Sequence, residues 1–115
     1  MGNPNHIDSV ISLCPECVTS KRRGVNYLRV PITDDRPIPV GQFDAIMDAI
    51  AENIRRGNVL VHCGMGISRA PTMTAGWMDV VGYRKFDAAI EEIRHLRPII
   101  APSKILLKSV KENLR

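Results

Sequence analysis

Three observations predict an α/β fold: a small parallel-dominated sheet flanked by helices, with a Gly-containing loop between a central strand and a helix. Two short runs rich in β-formers, Ser9-Val10-Ile11-Ser12-Leu13 and Asn26-Tyr27-Leu28-Arg29-Val30, are followed by a third, nearly all apolar, over 58–62. Between the second and third runs, Phe43, Ile46, Met47, Ile50 and Ile54 recur at helical spacing. Beyond the third run the chain reads as helix almost to its end. Apolar strands joined through an amphipathic helix make a βαβ crossover, and so a parallel sheet.

Taken in order, the strand runs are short and apolar enough to be buried on both faces, as parallel strands usually are. The crossover helix, 40–56, ends at Gly57, a residue that readily takes the left-handed conformation closing a helix. The next helix, 70–81, is closed by Gly82. Another, 86–96, precedes Pro98, and a last one covers 103–114. The irregular stretch is Pro31-Ile32-Thr33-Asp34-Asp35-Arg36-Pro37-Ile38-Pro39, whose three prolines forbid continuous regular structure. Loops that leave the carboxyl ends of parallel strands line ligand clefts. This loop and the one after the third strand are therefore expected to share a cleft.

At 115 residues the chain is expected to form one domain, 1–115, without repeat or linker. No apolar run approaches the roughly 20 residues of a membrane span. The start of the chain lacks a basic segment followed by an apolar one, so the cytoplasm is the expected compartment. Lys and Arg exceed Asp and Glu by 16 to 12, a formal charge of +4 that suits an anionic substrate. The basic residues are scattered except for Lys21-Arg22-Arg23, a solvated loop or a basic rim near the cleft. One Trp, two Tyr and two Phe are too few for the stacking platform of a single-strand binder. Neither nucleic acid nor membrane is expected as a partner, and the sequence is silent on oligomeric state.

The chemistry concentrates in Val59-Leu60-Val61-His62-Cys63-Gly64-Met65-Gly66-Ile67-Ser68-Arg69-Ala70-Pro71-Thr72. An apolar strand runs into a loop opening a helix, with a cysteine and an arginine bracketing the loop. Amides converging at a helix N-terminus make an anion site, and the dipole there favours the thiolate of a nearby cysteine. Gly64 and Gly66 let the backbone turn its N–H groups inward, and Pro71 suits a first helical turn. The amides of Gly64, Met65, Gly66, Ile67 and Ser68, with Arg69, are the expected phosphate-binding set. Cys17 and Arg23 repeat the spacing without glycines or a strand-to-helix junction, and that copy is a coincidence. The expected chemistry is attack of Cys63 on phosphorus, a bidentate guanidinium clamp from Arg69, and proton donation by Asp34 or Asp35 on the neighbouring loop. It calls for no metal and no cofactor.

His62-Cys63-Gly64-Met65-Gly66-Ile67-Ser68-Arg69 resembles the signature of the cysteine-dependent protein tyrosine phosphatases, and Gly-Ile-Ser-Arg resembles its dual-specificity branch. Val10-Ile11-Ser12-Leu13-Cys14 is similar to the first strand of such domains. Tyr27-Leu28-Arg29-Val30-Pro31-Ile32-Thr33-Asp34 is similar to the segment ending in the general acid, and Arg97-Pro98-Ile99-Ile100-Ala101-Pro102 to the segment before the last helix. The resemblance covers about 5–114. It implies a phosphomonoester hydrolase acting on phosphotyrosine, and on phosphoserine or phosphothreonine, of a phosphorylated protein. By it Cys63 is the nucleophile, Arg69 the clamp, Asp34 the acid, and His62 a support that keeps Cys63 ionised; read without it, His62 is a core hydrogen-bonding residue. The competing readings are a phosphatase of glucans or RNA 5′ ends and a phospho-binding module without turnover.

Two positions depart from the family's pattern. Ala70 stands where the family usually has a Ser or Thr whose hydroxyl steadies the departing thiolate; Arg-Ala-Pro is also similar to the loop of some glucan phosphatases. Ser103 stands where an asparagine usually follows the proline, which leaves its support of the loop open. Cys14-Pro15-Glu16-Cys17 reads as two ordinary strand-end cysteines, as a redox pair, or as half a zinc site with no second half. Similarity to the lipid phosphatase branch adds another reading, in which Cys14 is the redox partner that protects Cys63 from overoxidation.

Overall fold

The computed structural model describes residues 6–15, 21–64 and 67–114. Three parallel strands, β1 (Ser9–Ser12), β2 (Asn26–Arg29) and β3 (Val59–His62), lie in the order β2-β1-β3. Four helices accompany them: α1 (Val40–Ile54), α2 (Arg69–Val80), α3 (Phe86–Leu96) and α4 (Lys104–Asn113). The α/β class, the parallel sheet and the four helices agree with the sequence reading. The expected central position of the loop-bearing strand does not hold: among the described residues β1 is central and β3 flanks it. The crossover from β2 through α1 therefore passes over β1 before it reaches β3.

Register explains the core. Ile11 pairs with Leu28 on one side and Val61 on the other, and all three belong to or pack against the apolar cluster formed with Phe43, Ile46, Met73 and Leu106. One step along, Val10 pairs with Tyr27 and Leu60. A one-residue shift along a strand turns side chains to the opposite face, and Leu60 there is 45% exposed. The third strand is thus half-buried, with Val59 and Val61 packed against the core and Leu60 exposed, contrary to the expectation from its apolar run.

Helix α1 is tied to the sheet by a buried amide. Asn53 Oδ1 accepts from Ser9 Oγ at 3.0 Å and from Asn26 Nδ2 at 2.9 Å, and its Nδ2 donates to the carbonyl of Ala49 at 2.8 Å. The turn from α1 into β3 passes Gly57 at φ +150°. Any Cβ built there would stand 2.1 Å from Asp8 Oδ2, an atom already accepting from the Asn58 amide at 2.8 Å. That contact fixes the turn at which β3 begins. Among the described residues no helix is long and apolar enough to cross a membrane.

Candidate active site

Beyond β3 the chain enters the loop at Cys63, which is 5% exposed, and returns as α2 from Arg69. The ring is closed from below: the Ala70 amide donates to Cys63 Sγ at 3.3 Å. An N–H in the first turn of a helix has no intrahelical acceptor, so the sulfur takes the place of one. Ser68 is the N-cap of α2, but its side chain makes no bond to the helix. Thr72 holds the turn instead, its amide and hydroxyl both donating to the Ser68 carbonyl, at 3.1 and 2.7 Å.

The Ser68 hydroxyl is used across the cleft. It donates to Asp34 Oδ1 at 2.7 Å and accepts from the Ser103 amide at 2.9 Å. Asp34 is half-buried, whereas Asp35 is exposed and sits at φ +58°, a left-handed conformation that Asp tolerates in turns. Asp35 therefore makes the bend that carries Asp34 toward the loop. Arg69 donates through Nη1 to the carbonyl of Ile32 at 3.2 Å, joining its guanidinium to the segment that leads to Asp34. Together Asp34, Cys63, Gly64, Ile67, Ser68, Arg69 and Ala101 line a cleft of about 360 Å³.

Two further segments brace this cleft. The stretch before α4 hydrogen-bonds to the loop, the Ala101 amide donating to the Ile67 carbonyl at 3.0 Å. Ser103 caps α4, its Oγ accepting from the Leu106 amide at 3.3 Å. The far end of the Asp34 loop is pinned to α4: the Ile38 amide donates to Ser109 Oγ at 2.7 Å, and Asn113 Nδ2 donates to the Ile38 carbonyl at 3.3 Å. A larger groove of about 500 Å³, lined by Phe43, Asp44, Met47, Asp48 and Asp79 among others, has neither a cysteine nor a basic side chain in its lining.

The structure thus brings Cys63, Gly64, Ile67, Ser68, Arg69 and Asp34 to one cleft. Met65 and Gly66 lie outside the described residues, as does Cys17. His62 is adjacent, its Nδ1 3.2 Å from the Cys63 carbonyl, and its buried Nε2 has no hydrogen-bond partner among the described residues. Cys14 is disulfide-bonded and Cys63 is a free thiol, so the expected link between these two is not what the structure contains. Although β1 and β3 are neighbours, Cys14 has its bond elsewhere. Sequence reading did not foresee the bond from Ser68 to Asp34, the Ile32 acceptor for Arg69 or the Ala101 bond; it used Ser68 only through its backbone amide.

With this geometry established, comparison with known proteins is decisive. The family described as dual specificity phosphatase, catalytic domain, matches residues 2–114. The chain belongs to that family. It is 30% identical over 101 residues to dual specificity protein phosphatase 21 of Homo sapiens, covering 86% of this chain and 53% of that protein. Tyrosine-protein phosphatase vhp-1 of Caenorhabditis elegans is 31% identical over 104 residues, covering 84% of this chain and 15% of that one. The chain thus spans about half of phosphatase 21 and a small part of vhp-1. Among solved structures, Tk-PTP in its active form superposes with a TM-score of 0.82 at 27% identity, covering 96% of this chain and 80% of that one. Human DUSP28, at 17% identity and a TM-score of 0.84 over 94% of this chain and 77% of its own, shares the fold.

Proposed function

We propose that this dual specificity phosphatase domain hydrolyses phosphomonoesters of phosphorylated proteins, on tyrosine and on serine or threonine, through a phosphocysteine intermediate. The observation that carries the reading is the meeting of Cys63, Arg69 and Asp34 at one cleft, with the sulfur held by the amide of the helix that supplies the arginine.

In the first half-reaction the Cys63 thiolate attacks phosphorus; the sulfur–phosphorus bond forms as the bond to the ester oxygen breaks. Arg69 and the loop amides hold the non-bridging oxygens, donors aimed at charge that grows in the transition state. Asp34 gives its proton to the leaving oxygen. In the second half-reaction Asp34 takes a proton from water, the water oxygen bonds phosphorus, and the sulfur leaves with its electron pair. His62 steadies the Cys63 carbonyl and so the start of the loop. Ile67 and Ala101 supply a short apolar wall that accepts an aryl ring or the alkyl carbon of a serine ester.

Hydrolysis of phenyl phosphate in EDTA by the native protein, Cys63→Ser and Asp34→Ala tests the reading. The native protein is expected to turn over, the first variant to be inactive, and the second to lose about two to four decades in kcat. Full activity in Cys63→Ser would overturn it, and a phospho-binding module would show binding without turnover in all three.

A further inference from the structure

We infer that Ser68 is the positioning residue of the general acid: it decides which oxygen of Asp34 carries the proton that is transferred. The inference rests on the phosphatase reading above and adds to it a role for a side chain otherwise expected to serve only through its backbone amide.

Ser68 is 8% exposed, so its hydroxyl must find partners within the protein. A hydroxyl has one proton to give and lone pairs to offer. The Ser103 amide, a donor that cannot reverse, occupies a lone pair at 2.9 Å. The single proton goes to Asp34 Oδ1 at 2.7 Å. In a protonated carboxyl group the carbonyl-type oxygen is the better acceptor, so the Ser68 bond to Oδ1 favours placing the acid's hydrogen on Oδ2. In phosphoryl transfer the Oδ2–H bond breaks, its proton passes to the ester oxygen, and its electron pair stays on the carboxylate, where the Ser68 hydroxyl already donates. When water attacks the phosphocysteine, the proton returns to Oδ2. The same hydrogen bond orients the acid in the first step and the base in the second.

The arrangement is a chain of fixed donors. Ser103 caps α4 through its Oγ and presents its amide to Ser68, so the direction of the Ser68 proton is set by the last helix rather than by α2. This accounts for an N-cap serine whose side chain makes no bond to its own helix.

The test compares kcat/KM of the native protein, Ser68→Ala, Ser68→Thr, Asp34→Ala and the Asp34→Ala/Ser68→Ala double variant on two esters. Phenyl phosphate needs a proton on its leaving group; dinitrophenyl phosphate does not. Ser68→Ala is expected to lose about ten- to a hundredfold on phenyl phosphate, within the range a positioned acid contributes, and to stay within about twofold on dinitrophenyl phosphate. Ser68→Thr, which keeps the hydroxyl, restores most of the loss. In the Asp34→Ala background, Ser68→Ala costs nothing further, because the group it positions is gone. Equal losses on both esters, or a further loss in the double variant, would mean that Ser68 acts only on the shape of the loop and would overturn the inference. Undiminished phenyl phosphate turnover in Asp34→Ala would instead remove the general acid itself, and the phosphatase mechanism with it.

Discussion

The backbone amide of Ala70 points at the sulfur of Cys63 from 3.3 Å, and the alanine side chain, at 6% exposure for the residue, is packed beneath the loop. The residue after the arginine therefore meets the sulfur with its main chain alone. In the proposed mechanism, departure of the sulfur from phosphorus places negative charge beside the Ala70 amide, and residue 70 offers it no hydroxyl.

Ala70→Ser adds that hydroxyl at a position already in contact with the sulfur. Breakdown of the phosphoenzyme is expected to quicken by about fivefold, the worth of one ordinary hydrogen bond. Stopped-flow kinetics with a chromogenic aryl ester would show a higher steady-state rate and a smaller initial burst. An unchanged burst and steady state would mean that the Ala70 amide already supplies all the stabilisation the leaving sulfur uses.

Gly57→Ala would force a Cβ to within 2.1 Å of Asp8 Oδ2 and place an L side chain at φ +150°. The variant is expected to lose about 2–3 kcal/mol of stability, read by chemical denaturation. Asp8 and Asn58 flank the start of β3, at the opposite end of the strand from Cys63, so activity per folded molecule should not change. Native stability would show that the turn relaxes without cost.

Ser109→Ala leaves the Ile38 amide without its acceptor at 2.7 Å, in a residue that is 5% exposed. A buried donor left unpaired costs about 1–3 kcal/mol, and the end of the Asp34 loop keeps only the Asn113 bond as its tie to α4. Both a lower melting temperature and a selective loss on phenyl phosphate are expected. A melting temperature equal to that of the native protein would rule out the tie.

Cys63 is a free thiol and Cys14 is disulfide-bonded. Alkylation of the folded, unreduced protein followed by peptide mapping should therefore mark Cys63 and leave Cys14 unmarked. A peptide joining Cys14 to Cys63 would contradict the structure and restore the protective role expected from the sequence.

How much of this was legible in the chain depends on the distance over which residues act. The β3–loop–α2 unit is local: an apolar strand, glycines at the bend, and Pro71 in the first helical turn are enough to place Cys63 and Arg69 around one ring. Asp34 could be placed on the facing loop because strands in a parallel sheet send their loops to the same edge. The choice between Asp34 and Asp35 needed the resemblance, and the structure shows its physical side in the left-handed turn at Asp35. Contacts such as Ser68 with Asp34, Ser109 with Ile38 and Asn53 with Ser9 join residues 34, 71 and 44 positions apart. No periodicity encodes them; only the packed topology brings them together. Leu60 shows the reverse failure, since an apolar run alone does not say how many faces of a strand are covered.

The central claim is that the sulfur of Cys63 forms a bond to phosphorus. Acid quenching of the native protein during turnover of an aryl phosphate, followed by peptide mass spectrometry, measures this directly. The peptide containing Cys63 is expected to carry one added phosphoryl group, absent from Cys63→Ser treated in the same way. Steady turnover by Cys63→Ser, or a phosphoryl group found on another residue of the working enzyme, would contradict it.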